Sequence, residues 1–223
     1  MAVDLHLHSS FSDGSETPEA IVAAAQARSL TTIALTDHDN LNGIPRARAA
    51  AEAAGIQLIA GTELSVGWNE AAMHLLVYFL EPGAGPLQDQ LLEVQQGRSD
   101  RNLRIAERLQ QLGLEVAYEE VETEAGGTGV GRPHFAAVLV RKGYATTITD
   151  AFDRYLAEGR PAYLPRERLD ALEAIELAKA SGAVTSIAHP HTLGVARDDY
   201  REAFEELTDA GLGGIEAYYG EYP

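Results

Sequence analysis

Asp4 to Gly14 reads Asp-Leu-His-Leu-His-Ser-Ser-Phe-Ser-Asp-Gly, which sets two histidines two residues apart and a carboxylate five residues after the second. Side chains alternate along a strand, so the imidazoles of His6 and His8 face one side, about 6–7 Å apart. Two neutral imidazoles at that spacing grip one cation from one side. Further donors recur along the chain: Asp13 in the next loop, His38 within Asp37-His38-Asp39, then Glu63, His74 and His189. There is no cysteine. Nitrogen and oxygen donors without sulfur suit manganese, iron or zinc, and exclude Cu(I) and iron–sulfur clusters. Seven such ligands exceed the needs of one ion and point to two or three divalent metals, with a carboxylate such as Glu63 bridging a pair. Paired metals about 3.5–4 Å apart hold a hydroxide and stabilise both oxygens of an in-line phosphoryl displacement.

Strand ends must position these groups. Val3 to His8 alternates as a strand. Thr17-Pro18 opens a helix that runs to Ser29, with threonine as N-cap and proline at the first position. Thr31–Asp37 is a buried strand, Ile44–Gly55 a helix closed by glycine, and Ile56–Ser65 a third strand. Met73–Leu80 is a fourth, fit to pair with the third as a hairpin. This rhythm predicts a parallel sheet with right-handed crossovers. Residues 81–86 break it, and a helical insertion over 81–165 follows. Within it, Leu87 to Leu112 is helical and interrupted near Gly97, residues 118–131 form an acidic, Gly-rich loop, and two short helices cover Phe135–Arg141 and Thr149–Ala157. The α/β rhythm resumes over 166–223, with strands at 183–190 and 214–220. The donors end strands throughout, and the C-terminal strand ends of a parallel barrel form the face on which active sites are built.

Composition narrows the partners. The chain has 223 residues, 45% hydrophobic, with no run long enough to span a bilayer. That fits a single non-membrane domain with an inserted subdomain. Seventeen basic against 34 acidic residues leave a net charge of −17, which repels a long polyanion such as duplex DNA. Strand sequence from Val3 with no leader pattern before it, and no cysteine, points to a cytoplasmic protein.

The stretches DLHLHSSFSDG, LTDHDNLNG, GTELS, MHLLVYF and IAHP resemble the PHP family, named for polymerase and histidinol phosphatase. The resemblance runs from Val3 to the end of the chain. It implies an α/β fold, a distorted (β/α)7 TIM-like barrel holding up to three metals. The insertion is similar to that of stand-alone members acting on nucleoside 3′,5′-bisphosphates, some of which also trim short RNAs from the 5′ end. Carried over by motif, His6 and His8 hold one metal and Glu63 bridges it to a second, which His74 and His189 complete. Asp13 and His38 belong to a third. In the insertion, Gly131-Arg132-Pro133-His134-Phe135 resembles the segment that reaches substrate phosphate, with Arg132 as clamp and His134 beside it; Gly131 stands where relatives carry serine. Asp39 is a substrate or supporting contact. The family's final Asp-x-His motif does not occur before Pro223, so the C-terminal end of the barrel is expected to be missing here.

These readings converge on a phosphoric ester hydrolase using two to three divalent metals, manganese first, with iron or zinc as alternatives. The expected substrate is a small phosphorylated nucleotide or the 5′ end of a short oligonucleotide, attacked by a metal-bridging hydroxide. Two alternatives stand beside it: a phosphatase for histidinol phosphate or another small phosphomonoester, and a metal-binding regulatory domain without turnover.

Overall fold

The computed structural model describes residues 2–69, 71–126, 129–166, 168–193, 195 and 199–218. The chain divides into two compact units, residues 1–94 with 168–223, and residues 95–167. The division falls later than the hydrophobic pattern suggests. The first turns of the helix after residue 85 bury Leu87 and Leu91 in the core of the first unit.

The first unit is an α/β fold built on one curled, mixed sheet, the distorted TIM-like barrel class. Its strands are β1 (Val3–Leu7), β2 (Thr32–Leu35), β3 (Gln57–Trp68), β4 (Ala71–Tyr78), β5 (Leu169–Asp170), β6 (Val184–Ile187) and β7 (Gly214–Ile215). The order is β1-β2-β3-β4-β6-β7, with β5 paired to β3. β1, β2 and β3 are parallel, as are β6 and β7. β4 runs antiparallel to β3, as the hairpin reading expects, and also antiparallel to β6, which interrupts the otherwise parallel order. A short connection after a long strand can return only as a hairpin, whereas a parallel neighbour needs a crossover. β5 is too short to read from sequence, and β7 stops well before residue 220. Tyr219 and the residues after it lie outside the described residues.

Side-chain caps satisfy free backbone N–H groups at two of the helix starts in this unit. α1 (Pro18–Ala27) starts at Thr17, whose hydroxyl accepts the Ala20 N–H at 3.3 Å. α2 (Ile44–Ala54) ends at Gly55, with φ of 69°. α7 (Ala171–Ala180) follows β5, and Asp170 caps it by accepting Leu172 N–H at 2.9 Å. α8 (Tyr200–Ala210) leads into β7. Alternate residues of β3, Leu64, Val66 and Trp68, join Leu75 and Val77 of β4 and Ile175 of α7 in the main core. The intervening residues of β3, Glu63 and Ser65, face the other way, as a period of two demands.

The second unit is helical. α3 (Pro86–Gln111) is continuous. Gly97 does not break it, because propagation adds one bond per residue and offsets the roughly 1 kcal/mol that one interior glycine costs. α4 (Tyr118–Glu124) occupies the first half of the expected acidic loop. Glu120 turns back to accept the Ala117 N–H at 3.0 Å, and Val121 is buried, so local capping and one apolar anchor outweigh the acidic composition. Gly127 and Thr128 of that stretch lie outside the described residues. α5 (Arg132–Arg141), α6 (Ile148–Ala151) and a π turn over Phe152–Leu156 complete the unit around Ile105, Leu109, Phe135 and Leu139. Among the described residues no helix is long and apolar enough to cross a membrane.

Leu75, fully buried in β4, should tolerate truncation poorly. Leu75→Ala is expected to lower the unfolding free energy by about 2–5 kcal/mol, since a cavity adds to the lost transfer energy. Leu92→Ala, at a side chain 64% exposed, should stay within about 0.5 kcal/mol. Urea titrations of both variants check the contrast.

Candidate metal centre

His6 lies on β1 and His8 directly after it, and their ring centroids are 5.0 Å apart. The β1–β2 register shifts between Asp4 and Leu7, an irregularity that re-aims side chains at this strand end. His38 follows β2 and forms a lone parallel bridge to Glu63, reinforced by Asp39 N–H to Glu63 O at 3.0 Å. Because β4 is antiparallel, His74 near its start lies opposite Ser65 and so at the same end as Glu63. His189 follows β6 with φ of 29°.

Glu63 is the hub. Its side chain is 2% exposed and five imidazoles surround it. Oε2 lies 3.1 Å from His6 Nε2, 3.0 Å from His8 Nε2 and 3.4 Å from His38 Nδ1. Oε1 lies 2.8 Å from His74 Nδ1 and 2.9 Å from His189 Nε2. Asp13 closes the outer side, 3.2 Å from His8 Nδ1 and 3.5 Å from His38 Nε2. All seven residues that the sequence singles out as ligands thus come together.

The charges of this cluster are strongly coupled. Burial opposes ionisation of Glu63, but bonds to His189, His6, His74 and His8 overcome it and hold its carboxyl far below the usual range. The His38 and His8 imidazoles do the same to Asp13. Burial works against the His8 cation, yet Asp13 and Glu63 prevail and raise it to about 9. His6 is raised for the same reason, burial being offset by Glu63 and Glu216.

The donor set fits divalent cations. Among the described residues, three groups have ligand atoms within 4.8 Å of one another: His6, His8 and Glu63; His8, Asp13 and His38; His38, Glu63 and His74. His38 Nδ1 is buried without a hydrogen-bond partner among the described residues. His74 Nδ1 and His189 Nε2 face each other at 3.2 Å while both address Glu63 Oε1. Nitrogens converging on one oxygen, with an orphan among them, are what cations in place of protons would satisfy.

Asp37 and Asp39 are both buried and accept main-chain donors. Asp37, 2% exposed, accepts Ser9 N–H at 2.6 Å, Ser9 Oγ–H at 2.7 Å and Ser12 Oγ–H at 2.7 Å. It therefore fixes the loop that carries Asp13. Two glycines permit this closeness. A Cβ on Gly43 would stand 2.8 Å from Asp37 Oδ2, and one on Gly14 would stand 2.2 Å from His8 O. Asp39, also 2% exposed, accepts Ser65 N–H at 3.0 Å from a left-handed backbone with φ of 52°. That bond ties the β2 loop to β3.

Within the second unit, half-buried Arg132 donates to Leu156 O at 3.2 Å and lies over the rings of Tyr163 and Phe152, 5.2 and 5.9 Å from their centroids. His134 Nδ1 accepts the Gly131 N–H at 3.0 Å and so caps α5. Sequence reading missed the company Arg132 keeps. Burial and the charges of Arg166, Arg132 and Arg98 press Arg101 down to about 10. The Arg98-x-x-Arg101 spacing on one helix face was the available signal. Glu216, directly after β7, was also missed as a partner. Its carboxylate contacts His6 Nδ1 at 2.9 Å and accepts His189 N–H at 2.7 Å.

Residues 4–210 match the PHP domain family model. The chain is 37% identical over 188 residues to a 5′-3′ exoribonuclease of Haemophilus influenzae, a match covering 84% of this chain and 68% of that protein. It is 30% identical over 221 residues to a 3′,5′-nucleoside bisphosphate phosphatase of Chromobacterium violaceum, covering 99% of this chain and 78% of that protein. The structure of an amidohydrolase from Chromobacterium violaceum, solved with bound sulfate and no metal, superposes with a TM-score of 0.83 at 29% identity, over all of this chain and 79% of that one. With the strand-end histidines, the Glu63 hub and the sheet accounted for, the chain belongs to the PHP domain family.

Proposed function

We propose that this chain is a metal-dependent phosphoesterase that releases phosphate from small phosphorylated nucleotides, either nucleoside 3′,5′-bisphosphates or the 5′ ends of short oligonucleotides. The observation that carries the reading is the division of Glu63: one oxygen faces His6, His8 and His38, the other His74 and His189. A carboxylate so divided suits a bridge between two cations. His6 and His8 would hold one cation, His74 and His189 the second, and Asp13 with His38 a third. Manganese fits this oxygen-and-nitrogen set first, with iron or zinc as alternatives. When bound, such cations act as Lewis acids on phosphoryl oxygens and lower the pKa of water.

The residues of the chain do the rest. Glu63 and Asp13 supply the negative charge that keeps cations close together. Asp37 holds the Asp13 loop rigid through Ser9 and Ser12. In the second unit Arg166, Arg132 and Arg98 set their charges near Arg101, whose Nε is buried with no hydrogen-bond partner among the described residues. A phosphate group answers such a cluster through charge-assisted, forked bonds. We assign Arg132 to the second phosphate of a bisphosphate. The names of the relatives, a bisphosphate phosphatase and a 5′-3′ exoribonuclease, support this substrate class. The net charge of −17 favours short substrates over long ones.

Glu63→Gln keeps the shape of the hub and removes its charge. It should lose more metal affinity than the roughly 10–100-fold that removal of an outer partner costs, and nearly all phosphatase turnover, with the fold unchanged by circular dichroism. Wild-type metal content in that variant would sink the assignment.

Protons compete with cations for the same nitrogens. His8 keeps its proton up to about pH 9 when no cation displaces it. Apparent manganese affinity should therefore rise with pH from 6.5 to 8.5, by up to about tenfold per unit for each proton displaced. Titrations across that range check the sign; an affinity independent of pH would show that His8 is not a ligand.

Arg132→Ala should spare metal content and weaken selection for a second phosphate. Loss of a charge-assisted fork costs about 1.5–3 kcal/mol, a ten- to hundredfold change. Comparing kcat/KM for a nucleoside bisphosphate and a monophosphate reads this out. Equal loss on both substrates, or none, removes the assignment.

A further inference from the structure

Glu216 stands outside the three convergent ligand groups. Its backbone N–H donates to Ile187 O at 2.9 Å, which seats it beside the end of β6. Its side chain, 10% exposed, reaches two of the candidate ligands at once. Oε2 accepts His189 N–H at 2.7 Å, and Oε1 meets His6 Nδ1 at 2.9 Å. β1 and β7 are the two ends of the strand order, so this one carboxylate joins them across the curled sheet.

We propose that Glu216 is a positioning residue of the metal centre, one that sets the tautomer of His6 and holds the backbone of His189. The inference rests on the metal-centre reading above. A carboxylate only accepts, so Oε1 keeps the ring proton of His6 on Nδ1. Nε2 faces Glu63 Oε2 at 3.1 Å, and a cation bound there would take the Nε2 lone pair in place of a proton. Such a carboxylate behind a ligating histidine fixes ring orientation and raises the basicity of the ligand atom. The second bond acts on the main chain. His189 sits at φ of 29°, which a side chain with a Cβ adopts only when its surroundings over-determine it. The Glu216–His189 N–H bond, with Ala188 N–H to His74 O at 3.0 Å, supplies that constraint.

Glu216→Gln separates the two roles. His189 N–H is a fixed backbone donor, so the carboxamide oxygen stays with it and the NH2 group turns toward His6 Nδ1. Donor then faces donor, and the Nδ1–H tautomer is no longer favoured. The experiment is zinc titration of the parent, Glu216→Gln, His6→Ala and the double variant, with 15N-resolved NMR of the zinc-loaded chains. Glu216→Gln should fold, bind zinc about 10–100-fold more weakly and lose the protected Nδ1–H resonance of His6. In the double variant the loss should not exceed that of His6→Ala alone, because the effect travels through His6. Wild-type affinity with the Nδ1–H resonance retained overturns the inference, as does a Glu216→Gln loss that adds in full to that of His6→Ala. A parent chain that binds no zinc overturns the metal-centre reading and this inference together.

Discussion

A carboxylate buried at 1% exposure is costly unless opposite charge surrounds it, and Glu63 meets that condition with imidazoles from four strand ends. Much else in the first unit follows from that requirement. β1 must deliver two histidines to one face, β2 must end beside β3, and β6 must end beside β4. The reversal of β4 is part of the same solution. A fourth parallel strand would present its last residues at this end, whereas the antiparallel one presents His74 from near its start and lets Leu75 and Val77 serve the core on the other face.

The buried acids of the site divide by what they face. Glu63 faces nitrogens that carry either a proton or a cation. Asp37 faces hydroxyl groups and a backbone N–H, all of which stay donors at any working pH. The first kind of environment is the one in which, on the proposed reading, cations would replace protons. The second ties the Asp13 loop to the end of β2 through fixed donors. Glu216 lies between these types, with one oxygen on an imidazole and one on a main-chain donor. An inner layer of histidines around Glu63 is thus bordered by an outer layer of buried acids that accept main-chain and hydroxyl donors.

The inner layer was legible in the sequence because its signal is residue type at strand ends. His6-x-His8 and Asp13 need only the period of a strand and one loop to be read. Glu216 was harder, because its partners lie 210 and 27 residues away, and nothing local distinguishes it from a solvated glutamate. The arginines of the second unit were harder still. Arg98 and Arg101 share a helix face, but their approach to Arg132 and Arg166 depends on how four short elements pack around Ile105, Leu109 and Phe135. The misread elements have similar causes. The helix over Tyr118–Glu124 depends on one glutamate folding back to Ala117, and the two-residue β5 exists through its pairing with Val66 and Gly67. Long-range pairing and single caps are the information that periodicity does not hold.

The chain's charge acts on two length scales, and the proposed substrate class draws on both. Screening at physiological ionic strength confines a surface charge to roughly 8 Å. A net charge of −17 therefore builds up repulsion in proportion to how much of a polyanion lies along the surface. A mononucleotide or a short 5′ end meets little of that field. On the proposed reading it meets local positive charge instead, from the cations that Glu63 and Asp13 would hold. A ligand with two phosphates close together gains from local positive charge without the penalty of a long backbone. Length discrimination on this reading needs no wall or gate, because the surface that keeps long strands away belongs to the same acidic composition from which the metal ligands are drawn.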